Sequence, residues 1–140
     1  MSDNLYPKGT VESVNGTHVV LTGIDLARIT IHDYQTRIRA INEANGWFDS
    51  ERTPVEGHML MVTEVAEATE AYRKWGLDDA TAESDGTVTV KPEGVGSEYA
   101  DILIRLLDQC ERDGVDLVTE VERKLTYNQQ RGYRHGGKKL

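Results

Sequence analysis

Residues 58–75, HMLMVTEVAEATEAYRKW, decide how this chain is read. Wound at about 100° per residue, they form a helix with Leu60, Met61, Ala68, Ala71, Tyr72 and Trp75 in one apolar stripe and Glu64 inside it. Glu67 falls at the edge of that stripe, while Glu70, Arg73 and Lys74 point elsewhere. A second pair of acids follows at the same spacing. Glu98 and Asp101 border the apolar face of Tyr99, Ile102, Leu103, Leu106, Leu107 and Cys110. Residues three apart share a helical face, so packing of the two helices brings four carboxylates together.

A carboxylate removed from water is paired, protonated or bound to a metal. Glu64, Glu67, Glu98 and Asp101 are therefore candidate metal ligands. An all-oxygen set with no nearby Cys or His suits a hard divalent ion, Mg²⁺ first and Mn²⁺ next, because imidazole and thiolate are the ligands that select zinc or copper. Mg²⁺ in such sites keeps water and takes phosphate oxygens, which points to a phosphate ester as substrate.

At 140 residues the chain fits one domain. Its formal net charge of −8 argues against a nucleic-acid polymer as partner, since such binders present clustered basic surface. The single cysteine, Cys110, has no disulfide partner within the chain and reads as a small core residue of a reducing compartment. No segment approaches the roughly 18 apolar residues of a membrane span, and the N-terminus lacks the organisation of a signal peptide. The expected location is cytoplasmic, with no membrane partner.

Residues 10–22 alternate around Asn15-Gly16, a dipeptide that favours a tight turn, and predict a β-hairpin. From Asp25 to about Asn45 the apolar positions fit a helix, stopped by Asn45-Gly46. The first acidic helix is expected from about His58 to Trp75, and the second from about Gly96 to Arg112. Between them, residues 76–97 are broken by glycines and Pro92, with a short strand expected at 87–90. Gly114 ends the second acidic helix, and Asp116 is a fitting N-cap for a last helix to about Arg131. The fold class is all-α: about four helices in a bundle, with an N-terminal hairpin extension over 1–23 and the main domain over 24–140.

Winding the last helix places Lys124 and Asn128 on the line of Leu117 and Val121, toward the packed side. An ammonium and an amide there suit the phosphate oxygens that a metal leaves free, or the base or sugar of a nucleotide. Trp47 and Phe48 suit either stacking on a nucleobase or an apolar lid on the bundle. The basic tail, with Arg131, Arg134 and Lys138, reads either as a solvated end or as a flap over the phosphates. His18, His32, His58 and His135 lack metal-ligand spacing, and the glycine-rich stretches lack the context of phosphate loops.

These pieces together resemble the MazG-like, all-α nucleoside triphosphate pyrophosphohydrolases. The resemblance covers residues 24–139. It rests on Thr63-Glu64-Val65-Ala66-Glu67, Lys91-Pro92-Glu93-Gly94, Glu98-Tyr99-Ala100-Asp101-Ile102, Gly114-Val115-Asp116-Leu117, Lys124-Leu125-Thr126-Tyr127-Asn128 and the run from Arg131 to Lys138. It implies a helical bundle, assembled as a homo-oligomer (dimer or tetramer), that hydrolyses a nucleoside triphosphate to the monophosphate and pyrophosphate with Mg²⁺. Carried over by motif, Glu64, Glu67, Glu98 and Asp101 are the metal ligands. Glu64, Glu67 and Lys124 form the catalytic set, and Lys124, Asn128, Trp47 and Arg131 are the expected substrate contacts. Glu67 with Glu70 also fits the first half-motif, but Glu70 leaves the apolar stripe. Residues 68–97 make a longer connection than most members have, and the hairpin is extra. Two alternatives stand beside this reading: a phosphoribosyl-ATP pyrophosphohydrolase, which shares the acidic pairs, and a non-catalytic helical module that binds nucleotide or protein.

Overall fold

A computed structural model describes residues 9–14, 17–77 and 91–131. Their order is β1 (Gly9–Val14), β2 (Thr17–Leu21), α1 (Gly23–Ala44), α2 (Pro54–Trp75), α3 (Val95–Arg112) and α4 (Leu117–Gln130). Among the described residues the chain is thus all-α apart from one N-terminal ladder. The strand expected at 87–90, the Asn15-Gly16 turn and the tail from residue 132 lie outside the described residues. No helix among the described residues is long and apolar enough to cross a membrane.

Two compact units divide the chain, residues 1–34 with 115–140, and residues 35–114. In the first, β1 and β2 pair antiparallel with Gly9 opposite Leu21 and Val11 opposite Val19, and the register shifts between Val11 and Val14. Asp116 caps α4 by accepting the Thr119 N–H at 3.0 Å. Arg28 of α1 then donates to the Thr119 hydroxyl at 2.7 Å and lies 3.4 Å from Asp116.

The second unit is built on the packing of α2 against α3. Along α2 the buried residues are Gly57, Glu64, Ala68 and Ala71, a narrow line of mostly small residues that lets α3 approach closely. Leu107 is the most deeply buried large side chain, joined by Val95, Cys110 and Ile38. The C-terminal part of α1 is tied to α3 by Gln35 donating to the Leu107 carbonyl at 3.3 Å and by an Arg39–Glu111 ion pair at 3.0 Å.

α2 starts four residues before the expected His58. Thr53 and Glu56 form a capping box: the Thr53 hydroxyl accepts the Glu56 N–H, and the Glu56 carboxylate accepts the Thr53 N–H at 2.7 Å. Pro54 at the first helical position needs no N–H partner. The helix ends on Gly76, whose positive φ of 71° lets its N–H reach the Tyr72 carbonyl at 2.9 Å.

The inward stripe is narrower than its apolar composition suggests. Tyr72 of α2 is 57% exposed, and Tyr99 and Leu103 of α3 are also exposed. A single neighbouring helix covers the Glu64–Ala68–Ala71 line and leaves its flanks open. Val65, Tyr72, Val95, Tyr99 and Ile102 line a cavity of about 270 Å³ on this side.

Gly57 of α2 lies directly beneath the Gln109 side chain of α3. A Cβ there would fall 1.8 Å from Gln109 Oε1 and 2.6 Å from its Cδ. Gln109 is buried and donates to Asp113 Oδ1 at 2.8 Å, so it is poorly placed to swing away. The clash, about 1–3 kcal/mol for overpacking, outweighs the roughly 1 kcal/mol that alanine gains over glycine in a helix. Gly57→Ala is therefore expected to lower the melting temperature, and Gly57→Ala with Gln109→Ala to recover most of the loss in a calorimetric scan.

A candidate metal centre between two helices

Glu64 and Glu67 lie one turn apart on α2, and Glu98 faces them from the first turn of α3. One carboxylate oxygen from each lies within 4.8 Å of the others, close enough to share a cation. Glu64 and Glu98 are buried, at 5% and 8% exposure, and Glu67 is exposed at the edge of the stripe.

The three acids differ in what balances them. Glu64 accepts a hydrogen bond from Arg105 Nε at 2.6 Å, a charge-assisted pair one turn beyond Asp101 on α3. The Glu98 carboxylate makes no hydrogen bond or ion pair among the described residues. Burial pushes its pKa above the usual carboxylate value, and the charges of Glu67, Asp101 and Glu64 push it further, with Lys91 pulling the other way. A group in that position gains from either a proton or a metal ion.

Asp101 is outside the three-oxygen group. A step of three residues turns about 60° back from the Glu98 direction, which carries Asp101 to the flank of α3. There it lines a cavity of about 170 Å³ with Asn42, Trp47, Arg52, Ile104, Arg105 and Asp108. Expected as a fourth member of one cluster, Asp101 instead adds its field to Glu98. Trp47, 57% exposed, stands in the wall of the same cavity. On the other side, Glu67 and Glu98 border a larger cavity of about 470 Å³ with Lys74, Trp75 and Lys91, the Lys74 ammonium lying 3.9 Å from the Trp75 ring centre. Glu70, set aside from the motif, pairs with Arg73 at the surface.

Lys124 and Asn128 do not point toward a packed side. Both are exposed on α4, in the unit of residues 1–34 and 115–140. Val121 and Leu125, beside them, are themselves 44% exposed, so the apolar line of α4 is uncovered there, and only Val118 of this helix is buried. Arg131 ends the helix, exposed, with its guanidinium 5.6 Å from the Tyr127 ring centre.

Two groups were missed by sequence reasoning. Arg105 is seven residues past Glu98, about 20° from its direction on a helical wheel, so it faces α2 as Glu98 does. That spacing was a usable signal. The other is a buried hub at Asp108, 3% exposed, which accepts from Asn42 at 3.1 Å, from Arg112 at 3.0 Å and from Arg52. Burial raises the Asp108 pKa, but the hydrogen bonds from Arg52, Arg112 and Asn42 outweigh it and hold the carboxyl below its ordinary range. The Arg112 and Arg39 guanidiniums both stack on Phe48, at 3.8 and 5.1 Å, which makes Phe48 a platform for arginines in this unit.

Neither a protein-family model, nor a curated protein, nor a solved structure matches the chain.

Proposed function

We propose that the chain is a Mg²⁺-dependent nucleoside triphosphate pyrophosphohydrolase of the MazG-like kind. The observation that carries this reading is Glu98, a buried residue whose carboxylate makes no hydrogen bond or ion pair among the described residues and is set against Glu64 and Glu67. Three converging carboxylates match a hard divalent ion, and no Cys or His belongs to the group. Bound there, the ion supplies charge neutralisation to phosphoryl oxygens. The chain's own residues do the rest. In this reading Glu67, the exposed member, holds a water through a carboxylate oxygen not given to the ion. Lys74 and Lys91 line the adjoining cavity and face a polyphosphate with positive charge.

By the resemblance, Lys124, Asn128 and Arg131 contact substrate, Trp47 offers a stacking face, and Asp101 completes the ligand set. Exposed Val55, Met59, Val62, Val65 and Tyr72 along α2 support association of copies, and a homo-oligomer in the cytoplasm belongs to this reading. The Glu64–Arg105 pair favours the competing one, a helical module in which the acid is neutralised internally and performs no chemistry.

Pyrophosphate release over a panel of nucleoside triphosphates and phosphoribosyl-ATP, with and without Mg²⁺, separates them. Metal-dependent release identifies the enzyme and its substrate class. No release from any compound rejects it in favour of the binding module.

A further inference from the structure

We infer that Arg105 is a built-in counter-cation that a divalent ion displaces from Glu64. The inference rests on the metal centre proposed above. Glu64 is confined: its side chain is 7% exposed and its Oε1 is held by Arg105 Nε at 2.6 Å. Arg105 is not confined in the same way. Its side chain is 31% exposed and borders the 170 Å³ cavity with Asn42, Trp47 and Asp101, so the guanidinium has solvent-connected space to enter when it leaves the acid.

The charges argue for exchange rather than sharing. Two cations on one buried carboxylate repel strongly, because little water screens them. The Glu98 carboxylate makes no hydrogen bond or ion pair among the described residues and feels Lys91 only through its field, which anchors the incoming ion on the α3 side of the group, opposite Glu64. Arg105 therefore keeps Glu64 folded inward in the metal-free chain and yields it when the ion binds. The consequence is a metal affinity set partly by the strength of an arginine–glutamate pair, and an arginine made available next to the centre only in the metal-loaded state.

Mn²⁺ binding to the full chain, followed by electron paramagnetic resonance, tests this. Arg105→Gln removes the competitor, so it is expected to bind Mn²⁺ roughly tenfold more tightly than wild type. A purely structural arginine predicts the reverse, since Glu64 would lose its placement; equal or weaker binding by Arg105→Gln overturns the proposal. A second measurement needs no stable variant. In wild type labelled with ¹⁵N, the Arg105 Nε–H resonance is expected to lose its carboxylate-bonded position as Mg²⁺ saturates the site. A resonance unmoved at saturation overturns the exchange while leaving the metal centre standing. Absence of Mn²⁺ binding to wild type rejects the metal centre itself, and the exchange with it.

Discussion

Glu98→Gln is expected to reduce Mg²⁺-dependent pyrophosphate release by about a hundredfold or more, while the metal-free chain becomes more heat-stable at neutral pH. Both effects have one origin. Glu98 is buried near three other acids, and its proton affinity in the folded chain is raised above the ordinary value of 4.5. An acid whose folded pKa is raised binds more protons folded than unfolded between the two values, so its contribution to stability is lost as pH rises through that window. Above the raised pKa wild type carries the penalty of the buried charge. Glutamine has nearly the same shape and none of the charge. Melting curves of the two proteins should therefore converge as pH falls through the raised pKa toward 4.5, with Glu98→Gln ahead above it. Saturating Mg²⁺ is expected to reverse the order, raising the melting temperature of wild type and not that of the variant. A variant less stable than wild type in metal-free buffer at pH 7 would show that Glu98 is satisfied in some other way.

Asp108→Ala is expected to be the most destabilising single change in the unit of residues 35–114. The carboxylate, 3% exposed, is the common acceptor for Asn42, Arg52 and Arg112, and the Arg52 Nε is already buried without a partner. Removing the acid leaves two guanidiniums without their ion-pair acceptor, a loss of about 3–5 kcal/mol and a fall in melting temperature on the order of 10 °C for a chain of this size. Asp108→Asn keeps the shape and an acceptor, so it should fall between wild type and alanine. Because the hydrogen bonds hold the folded pKa of Asp108 below 3.8, its stabilising contribution is present above that value and is lost as pH drops through the folded pKa. Acid unfolding of Asp108→Ala should accordingly be less steep than that of wild type. Thermal scans at two pH values measure both effects.

Helical winding made much of this legible. The four helices, their glycine and asparagine stops and the Asp116 cap follow from local chemistry, and the inward leaning of Glu64, Glu67 and Glu98 follows from angles on single helices. Winding says less about which neighbour meets a face. Apolarity alone puts Tyr72, Tyr99 and Leu103 in packed stripes, yet α3 and α2 touch along the small residues Gly57, Ala68 and Ala71 and leave these rings and branches outside. The expected packed side of α4 is lost for the same reason: Lys124 and Asn128 are exposed, and their apolar neighbours are half uncovered. Asp101 shows that three residues is an imperfect repeat, about 60° short of a full turn, enough to move a short side chain from the cluster to its flank. The Asp108 hub was invisible for a different reason. Arg52 comes from the loop before α2, and no periodicity reports where a loop arginine reaches.

Cys110 turns the burial of α3 into something that can be timed. It is the sole thiol of the chain, 8% exposed, with burial and then Asp113 pushing its pKa up. A thiol reagent therefore attacks when the helix opens, and the ratio of its rate to that of a free peptide thiol counts the open fraction. Because Glu98 stands three turns earlier on the same helix, an ion that clamps it should slow alkylation of Cys110 in proportion to its occupancy. The protein carries its own clock for ligand binding, readable without substrates or variants.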